Sequence, residues 1–514
     1  TANYFVSLYR GTPVLPWDLT ALETAAAVSG SYSYVPTEPM LVGAVLVLVL
    51  IWVLRKEFRK GRFLMDRHTA PVRLGCLAVG IACLGAAVAP ERLEELGVQT
   101  DVWDQTGAYR TSGAVAAFLC NLEFLEVDEP EDLSPQRLSW IMDQVEVPEE
   151  TAVSVDHPNI VAIMNESWAD FEDFGNLSLS ESVTDYIDSL DNLIFGHTYT
   201  SVFGAGTSAS EFEFLTGNSM AFLPSGSIPY QQYVLESTDS LASLLKEKGY
   251  RCLALHPGER DSWQRNQAYP LLGFEEFLCK DDMEVPVTEE HGYISDASSF
   301  DQLKRMFEER RAGERMFLFN VTIQNHGSYT DEDYKTRVYL TDEPGAYPMA
   351  EQYLTLERET QEAFLDLIQD LQNEQEPVLV VMFGDHQPAV EQEFLDKAYG
   401  VKQDDMTMEE YMNKFRVPFL IWANYSLPSP ESIGLNPEIT SLNFLAQYVL
   451  ECAGMSGNDY GEFLKSISSE LPALTFAGYF DSQGEAYSHL ETNEYGELIE
   501  EYQTVQYGEL FGDT

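Results

Sequence analysis

The sequence predicts an α/β domain with a buried, mostly parallel central sheet, preceded by a helical hairpin in a membrane. Three observations predict it. From Asn159 onward, short runs of Val, Ile, Leu and Phe alternate with amphipathic stretches. Strands read as continuous apolar runs when both faces are covered, as in parallel sheets flanked by helices. Ahead of them lie two uncharged segments, Met40 to Leu54 and Leu74 to Ala89. Between these sit Arg55, Lys56, Arg59, Lys60, Arg62, Arg67 and Arg73, opposed only by Glu57 and Asp66. Basic residues concentrate in short cytoplasmic loops, so the hairpin places its loop inside and both flanks outside.

Composition narrows the function. The 514 residues include 84 acidic and 30 basic side chains, a formal net charge of -54. With 45% hydrophobic and 12% aromatic residues the chain is not a disordered acidic polymer. So negative a surface repels phosphate backbones, which excludes nucleic acid as a partner. An anionic substrate then needs a local cation, either a metal ion or a placed arginine. Six cysteines are too few for a disulfide scaffold.

In chain order, residues 1–39 are expected to form an extracellular loop, with earlier spans missing ahead of Thr1. Residues 40–90 form the hairpin. Each apolar run is slightly short of the roughly 20 residues that span a bilayer, and a pair of buried core helices is the competing reading. Residues 91–156 read as a helical connector, with helical spacing at 91–96 and 112–124. Residues 157–475 form the extracellular catalytic domain. Its expected strands are NIVAIMNES, RCLALH, FLFNVTIQNH, PVLVVMFGDH and VPFLIWANY. Its expected helices lie near 237–248, 298–311 and 349–372. Residues 476–514 are acidic but keep Tyr, Leu and Phe at intervals, as a packed C-terminal extension does.

Ligands of open α/β sheets bind outside the carboxyl ends of the strands. The polar residues just past each run are therefore the first candidates: Glu166, His256, Asn325 with His326, and Asp385 with His386. Carboxylates plus an imidazole suit Mn²⁺, Zn²⁺ or Mg²⁺. Thr207, in Gly204-Ala205-Gly206-Thr207-Ser208, stands before an expected helix, where backbone N–H groups favour anions. The plainer alternative is that Thr207 or Ser208 is an N-cap completed by Glu211 in a capping box. A nearby metal would lower the hydroxyl pKa and make Thr207 a nucleophile toward phosphorus. In HPGERDSWQRNQAY, Trp263 and Arg265 alternate and can project to one side of an extended segment, with Arg265 as a phosphate anchor.

The ordered landmarks NIVAIMNES (159–167), GTS (206–208), H-x6-W-x-R (256–265), TIQNHGSY (322–329) and FGDHQP (383–388) resemble the lipoteichoic acid synthase family. So do RGTPVLPWDL (10–19) and the C-terminal Y-x-x-V-Q-Y run. These are membrane phosphoglycerol transferases of the alkaline-phosphatase and sulfatase superfamily. The resemblance implies that Glu166, Thr207, Asp385 and His386 bind one divalent ion, usually manganese. It implies that Thr207 is the nucleophile, and that Trp263, Arg265 and His326, with His256, hold the glycerophosphate. His326 is also placed to move the proton of a leaving or accepting alcohol. The implied donor is phosphatidylglycerol, the implied acceptor a glycolipid, teichoic acid or glycan, and the implied intermediate a glycerophospho-threonine. A sulfatase would need Cys or Ser in C/S-x-P-x-R, whereas Thr207 is followed by Ser-Ala-Ser. A phosphoethanolamine transferase, a phosphodiesterase and a catalytically silent membrane scaffold are the remaining alternatives.

Overall fold

The computed structural model describes residues 2–10, 13–19, 34–60, 105–122, 124, 127–131, 133–145, 155 and 157–512. The chain divides into two compact units, 1–22 with 28–126, and 23–27 with 127–514. Residues 127–156, expected in the connector, thus fall in the larger unit.

In the first unit, Leu15, Trp17, Tyr109 and Ala117 form a small core, and the Tyr109 hydroxyl donates to the Val14 carbonyl at 2.6 Å. The expected helix at 112–124 is broken by Gly113 (φ 82°) into Gln105–Ser112 and Ala114–Cys120. The first apolar run lies in the helix Glu38–Lys60. Leu41, Val45, Leu46, Leu48, Leu50 and Trp52 on it are all exposed. Among the described residues no helix is long and apolar enough to cross a membrane. The uncharged part of this one runs only from Pro39 to Leu54. The second run, 74–89, and the spacing at 91–96 lie outside the described residues.

Among the described residues the larger unit carries thirteen strands. They are β1 (Asn159–Asn165), β2 (Leu193–Tyr199), β3 (Arg251–His256), β4 (Glu276–Cys279), β5 (Glu289–Glu290), β6 (Tyr293–Ile294) and β7 (Met316–Val321). There follow β8 (Val378–Gly384), β9 (Arg416–Ala423), β10 (Thr440–Ser441), β11 (Ala473–Thr475), β12 (Gly478–Phe480) and β13 (Ala486–Tyr487). Eight form one sheet in the order β10-β2-β9-β8-β1-β7-β3-β4. All its pairings are parallel except those of β9 with β2 and β8, so the sheet is mixed with one reversed strand. β11, β12 and β13 make a small antiparallel sheet, and β5 and β6 a hairpin.

Helices cover both faces of the large sheet, which is why its central strands read as unbroken apolar runs. On one face Val161, Ile163, Leu318, Val380 and Met382 meet Phe300, Leu303 and Phe307 of helix Asp296–Glu308. The same cluster takes in Phe364, Leu367 and Ile368 of helix Pro348–Leu371. On the other, Phe214 of helix Thr207–Thr216 packs on Phe383 of β8 and Phe319 of β7, with ring centroids 4.4 and 6.1 Å apart. Every residue of that helix is buried. The C-terminal helix Gly496–Phe511 buries Tyr502, whose hydroxyl donates to the Gly217 carbonyl at 2.7 Å. This holds the end of helix Thr207–Thr216 in place.

Candidate active site and metal centre

β1 and β8 are neighbours, in register from Asn159↔Val378 to Asn165↔Gly384. The residues that follow them therefore leave the sheet side by side. Gly384 permits the approach: a Cβ there would lie 2.2 Å from the Trp168 carbonyl oxygen. Ser167 turns the chain back at φ 57°, the left-handed region. Glu166, Asp385 and His386 converge as a result, each offering one ligand atom within 4.8 Å of the others. His386 Nε2 lies 3.3 Å from Asp385 Oδ2 and 3.7 Å from Glu166 Oε1.

Their hydrogen bonds show what the cluster is prepared to hold. Asp385 Oδ1 accepts the Ser167 and His386 backbone N–H groups at 2.7 and 2.9 Å. Its Oδ2 is buried with no hydrogen-bond partner. His386 Nδ1–H donates to the Gln387 carbonyl at 3.0 Å, which leaves the lone pair on Nε2 facing the two acids. Burial, and then the neighbouring Asp385, push the Glu166 carboxyl up to about 8. A carboxylate oxygen without a donor, a second acid that resists ionisation and an imidazole lone pair share one small space. That set fits a divalent cation, which would satisfy all three at once.

Thr207 is the first residue of its helix and is buried. The N-cap is Gly206, left-handed at φ 106°, and no side chain caps the helix. The alternative of a Thr or Ser cap with a Glu211 capping box does not occur, so the Thr207 hydroxyl is free of that duty. Two hydrogen bonds fasten this segment beside the cluster. Ser210 Oγ, one turn on, donates to the Asp385 carbonyl at 2.6 Å, and the Gly204 N–H donates to the Gln387 carbonyl at 3.0 Å. The start of the helix is thus tied to the strand end that carries Asp385 and His386.

Glu211 has another partner. Its carboxylate, fully buried, accepts Arg265 Nη2 at 2.5 Å and Nε at 2.9 Å, and also the hydroxyls of Tyr269 (2.6 Å) and Tyr230 (3.2 Å). Arg265 is buried as well. The extended segment expected around it is a 3₁₀ turn, Ser262–Gln264, with Trp263 and Gln264 at φ 57° and 61°, followed by helix Arg265–Leu271. Trp263 is half-buried. Arg265 therefore reaches the site as part of a buried ion pair and not as a free fork.

His256 and His326 stand on the same side, past β3 and β7. His256 is buried and its Nδ1 donates to the Val321 carbonyl at 2.9 Å. His326 is half-buried, and its Nδ1 donates to the Gly327 carbonyl at 2.7 Å, with the Tyr293 hydroxyl 3.1 Å away. Each presents Nε2 as its remaining nitrogen. Burial lowers both imidazoles below their ordinary range, and the Arg265 charge lowers them further, while the Asp385 charge partly restores His326. Both are neutral bases near pH 7.

Sequence reasoning missed Ser167, Tyr269 and Tyr293, and it gave Glu211 to a helix cap instead of to Arg265. It also missed the buried polar layer beneath the cluster, where Asp296 Oδ2 accepts Thr360 Oγ1 at 2.7 Å and Asn165 Nδ2 at 3.0 Å. The signal for Tyr293 was present: His291-Gly292, both at positive φ, is a two-residue hairpin turn between β5 and β6.

Comparisons with known proteins agree with this architecture. A protein of Rhizobium meliloti named for cyclic beta-1,2-glucan modification is 29% identical over 392 residues, which cover 74% of this chain. The chain spans about half the length of the curated relatives it matches, 58% in that case. The Streptococcus pyogenes phosphoglycerol transferase GacH, solved with sn-glycerol-1-phosphate, superposes with a TM-score of 0.61 at 18% identity, covering 75% of this chain and 96% of that one. The lipoteichoic acid synthase LtaP of Listeria monocytogenes gives 0.53 at 16% identity over 74% and 97%. Both likenesses establish a shared fold. The sulfatase family profile matches residues 158–455, more than half of the sequence, and the chain belongs to the sulfatase family of the alkaline-phosphatase superfamily.

Proposed function

We propose that the chain is the catalytic part of a membrane-anchored phosphoglycerol transferase, which moves glycerophosphate from phosphatidylglycerol to a cell-envelope acceptor. The observation that carries the reading is the clustering of Glu166, Asp385 and His386 beside the start of helix Thr207–Thr216. Glu166, Asp385 and His386, with Thr207, would hold one divalent ion, manganese in the reading taken from the sequence. When bound, the ion supplies positive charge to the Thr207 oxygen and to the phosphoryl oxygens.

The protein's own groups do the rest. Thr207 Oγ1 attacks the phosphorus of the lipid diester, the bond to the diacylglycerol oxygen breaks, and that oxygen takes up the proton lost by Thr207. The N-terminal N–H groups of helix Thr207–Thr216 favour the negative charge carried by the glycerophospho-threonine. A hydroxyl of the acceptor then displaces Thr207. His326 Nε2 takes the acceptor proton, and a proton returns to the departing Thr207 oxygen; the role suits its lowered pKa and the Nδ1–H···O=C bond to Gly327 that fixes its tautomer. Glu211 occupies the Nε and Nη2 edge of Arg265, so Arg265 offers the substrate phosphate its other edge. Trp263 and His256 complete the glycerophosphate pocket.

A glycan acceptor is supported by the relative named for glucan modification. Membrane attachment is supported by the helix Glu38–Lys60, whose exposed Leu, Val and Trp side chains have no polar face between Met40 and Leu54. The domain after residue 157 is then extracellular. Incubation with fluorescent phosphatidylglycerol and with phosphatidylethanolamine, with and without Mn²⁺, tests the reading. Mn²⁺-dependent diacylglycerol release from phosphatidylglycerol is expected. Release from phosphatidylethanolamine alone would assign the protein to phosphoethanolamine transfer instead.

A further inference from the structure

β5 and β6 form a ribbon of their own, paired Glu289↔Ile294 and Glu290↔Tyr293 and outside the large sheet. Two strands of two residues are too short to stand alone in water, so the ribbon depends on what it touches. Its base is anchored. The Ser295 N–H donates to the Thr288 carbonyl at 2.9 Å, and the Thr288 N–H donates to Ser298 Oγ at 2.9 Å. Ser295 is itself the N-cap of helix Asp296–Glu308. From the start of that helix, the ribbon's side chains reach the loop past β7.

Two of these side chains grip the loop. His291, in the turn, donates Nε2–H to the Gln324 carbonyl at 2.6 Å. Tyr293 lays its ring beside His326, with centroids 5.3 Å apart, and its hydroxyl lies 3.1 Å from His326 Nδ1 and 3.3 Å from the Gly327 carbonyl oxygen. A carbonyl only accepts, so Nδ1 carries the proton it shares with Gly327, and the Tyr293 proton turns to the same carbonyl. The Tyr293 oxygen then faces Nδ1–H as a second acceptor. The three groups close a small ring of hydrogen bonds behind the imidazole, and Nε2 is left with its lone pair.

The loop backbone has staples of its own. Gln324 Oε1 accepts the Asp296 N–H at 2.9 Å, and Gln324 Nε2 donates to the Leu356 carbonyl at 3.2 Å. Asn325 Nδ2 donates to Glu357 Oε1 at 3.2 Å, and the Asn325 carbonyl accepts the Tyr329 hydroxyl at 2.7 Å. These bonds hold Gln324 and Asn325 and leave the imidazole of His326 untouched. The Gly327 carbonyl belongs to the same loop as the ring, so it holds the tautomer only while the ring keeps its rotation. Tyr293 comes from a separate element and supplies the fixed reference. The charges of Asp385 and Arg265 both act on His326, so its ring borders the strand-end cluster.

We propose that Tyr293 is the positioning residue of His326: its hydroxyl, brought in by the β5–β6 ribbon, holds the imidazole at the rotation that turns the Nε2 lone pair to the accepting alcohol. The inference rests on the transferase reading and deepens it. Tyr293 touches no reacting atom and acts through His326. A base must lie within hydrogen-bond reach of the proton it takes, and lost orientation alone costs rate. In the acceptor step the alcohol O–H gives its proton to Nε2 and the alcohol oxygen bonds to phosphorus. The bond from phosphorus to Thr207 Oγ1 breaks, and a proton returns to that oxygen. Nδ1–H stays with Gly327 and Tyr293 throughout, and its bonds strengthen while the ring is an imidazolium. Tyr293 therefore matters most to the acceptor step and least to formation of the glycerophospho-threonine.

The test uses the full chain in detergent, with glycerol as the accepting alcohol. The glycerophospho-threonine is loaded from labelled phosphatidylglycerol, and its loss in glycerol is followed by rapid quench and mass spectrometry of the Thr207 peptide. Tyr293→Phe is expected to slow that loss about three- to tenfold, the worth of one hydrogen bond, while the loading rate and the thermal midpoint stay as in the parent. In a His326→Gln background the same change is expected to have no effect, because Tyr293 works only through that ring. Equal slowing of loading and loss, or the same slowing without His326, would show a structural role and overturn the proposal, and so would an unchanged loss. A second readout needs no turnover. Nitrogen-15 spectra of histidine-labelled protein, with the His326 signals identified by their absence in His326→Gln, are expected to show one Nδ1–H tautomer in the parent and a mixture in Tyr293→Phe, whose ring leaves the Gly327 carbonyl part of the time. One tautomer in both proteins would overturn the proposal. A parent that loads nothing from phosphatidylglycerol yet shows the tautomer change refutes the transferase reading and leaves the positioning; normal turnover with unchanged loss and unchanged spectra does the reverse.

Discussion

Glu213 offers a quantitative test of the packing that holds the Thr207 helix. It is buried two residues beyond Glu211, where Oε1 accepts Ser201 Oγ at 2.6 Å and the Met220 N–H at 2.9 Å. Its Oε2 is buried with no hydrogen-bond partner. Burial pushes the carboxyl up from 4.5 to about 7, with the two donors opposing. A raised folded-state pKa means that the folded protein binds a proton the unfolded chain has already released. The associated stability is present below pH 4.5, declines as pH rises, and is lost by about pH 7. At about 1.4 kcal/mol per pH unit the loss is about 3 kcal/mol. Glu213→Gln keeps the Oε1 acceptor and cannot ionise. The variant should therefore gain about 3 kcal/mol on the parent between pH 4.5 and pH 8, read from urea midpoints at constant m-value. Parallel stability profiles for the two proteins across that range would refute the reasoning.

Three further outcomes are expected. Thr207→Ala should lower diacylglycerol release by about a thousandfold or more while leaving bound metal, measured by elemental analysis, largely intact, because Glu166, Asp385 and His386 remain. Chelation, or His386→Ala, should lower the thermal midpoint: an ion present at about 100 times its dissociation constant stabilises by about 2.7 kcal/mol. Arg265→Lys should cost about 3 kcal/mol in urea unfolding, because an ammonium cannot reproduce the two contacts to Glu211.

Legibility in the sequence followed burial. β1, β7 and β8 were visible because both of their faces are covered, so nearly every residue is apolar. β2 (LIFGHTY) was not read, since Gly196, His197 and Thr198 interrupt the run although all three are buried. The reversal of β9 left no mark, because VPFLIWA looks the same in either direction. Glu166, Asp385 and His386 were found by the strand-end rule. Their meeting depends on β1 and β8 being neighbours, a pairing of segments more than 200 residues apart that no local pattern encodes. Arg265 was singled out as a cation. Its partner Glu211, 54 residues away, was read only as part of a helix cap.

That pairing changes what Arg265 can contribute. A guanidinium already matched by Glu211 adds little net charge to its surroundings, and the two tyrosine hydroxyls on Glu211 stabilise the pair as a unit. Under the proposed function its value to a phosphate would be directional, through N–H groups held in one orientation from the Thr207 helix itself. Net positive charge must come from elsewhere, and the strand-end cluster is where the chain leaves room for it. The cluster presents an orphaned Asp385 oxygen and an imidazole lone pair, a deficit of positive charge waiting for a cation.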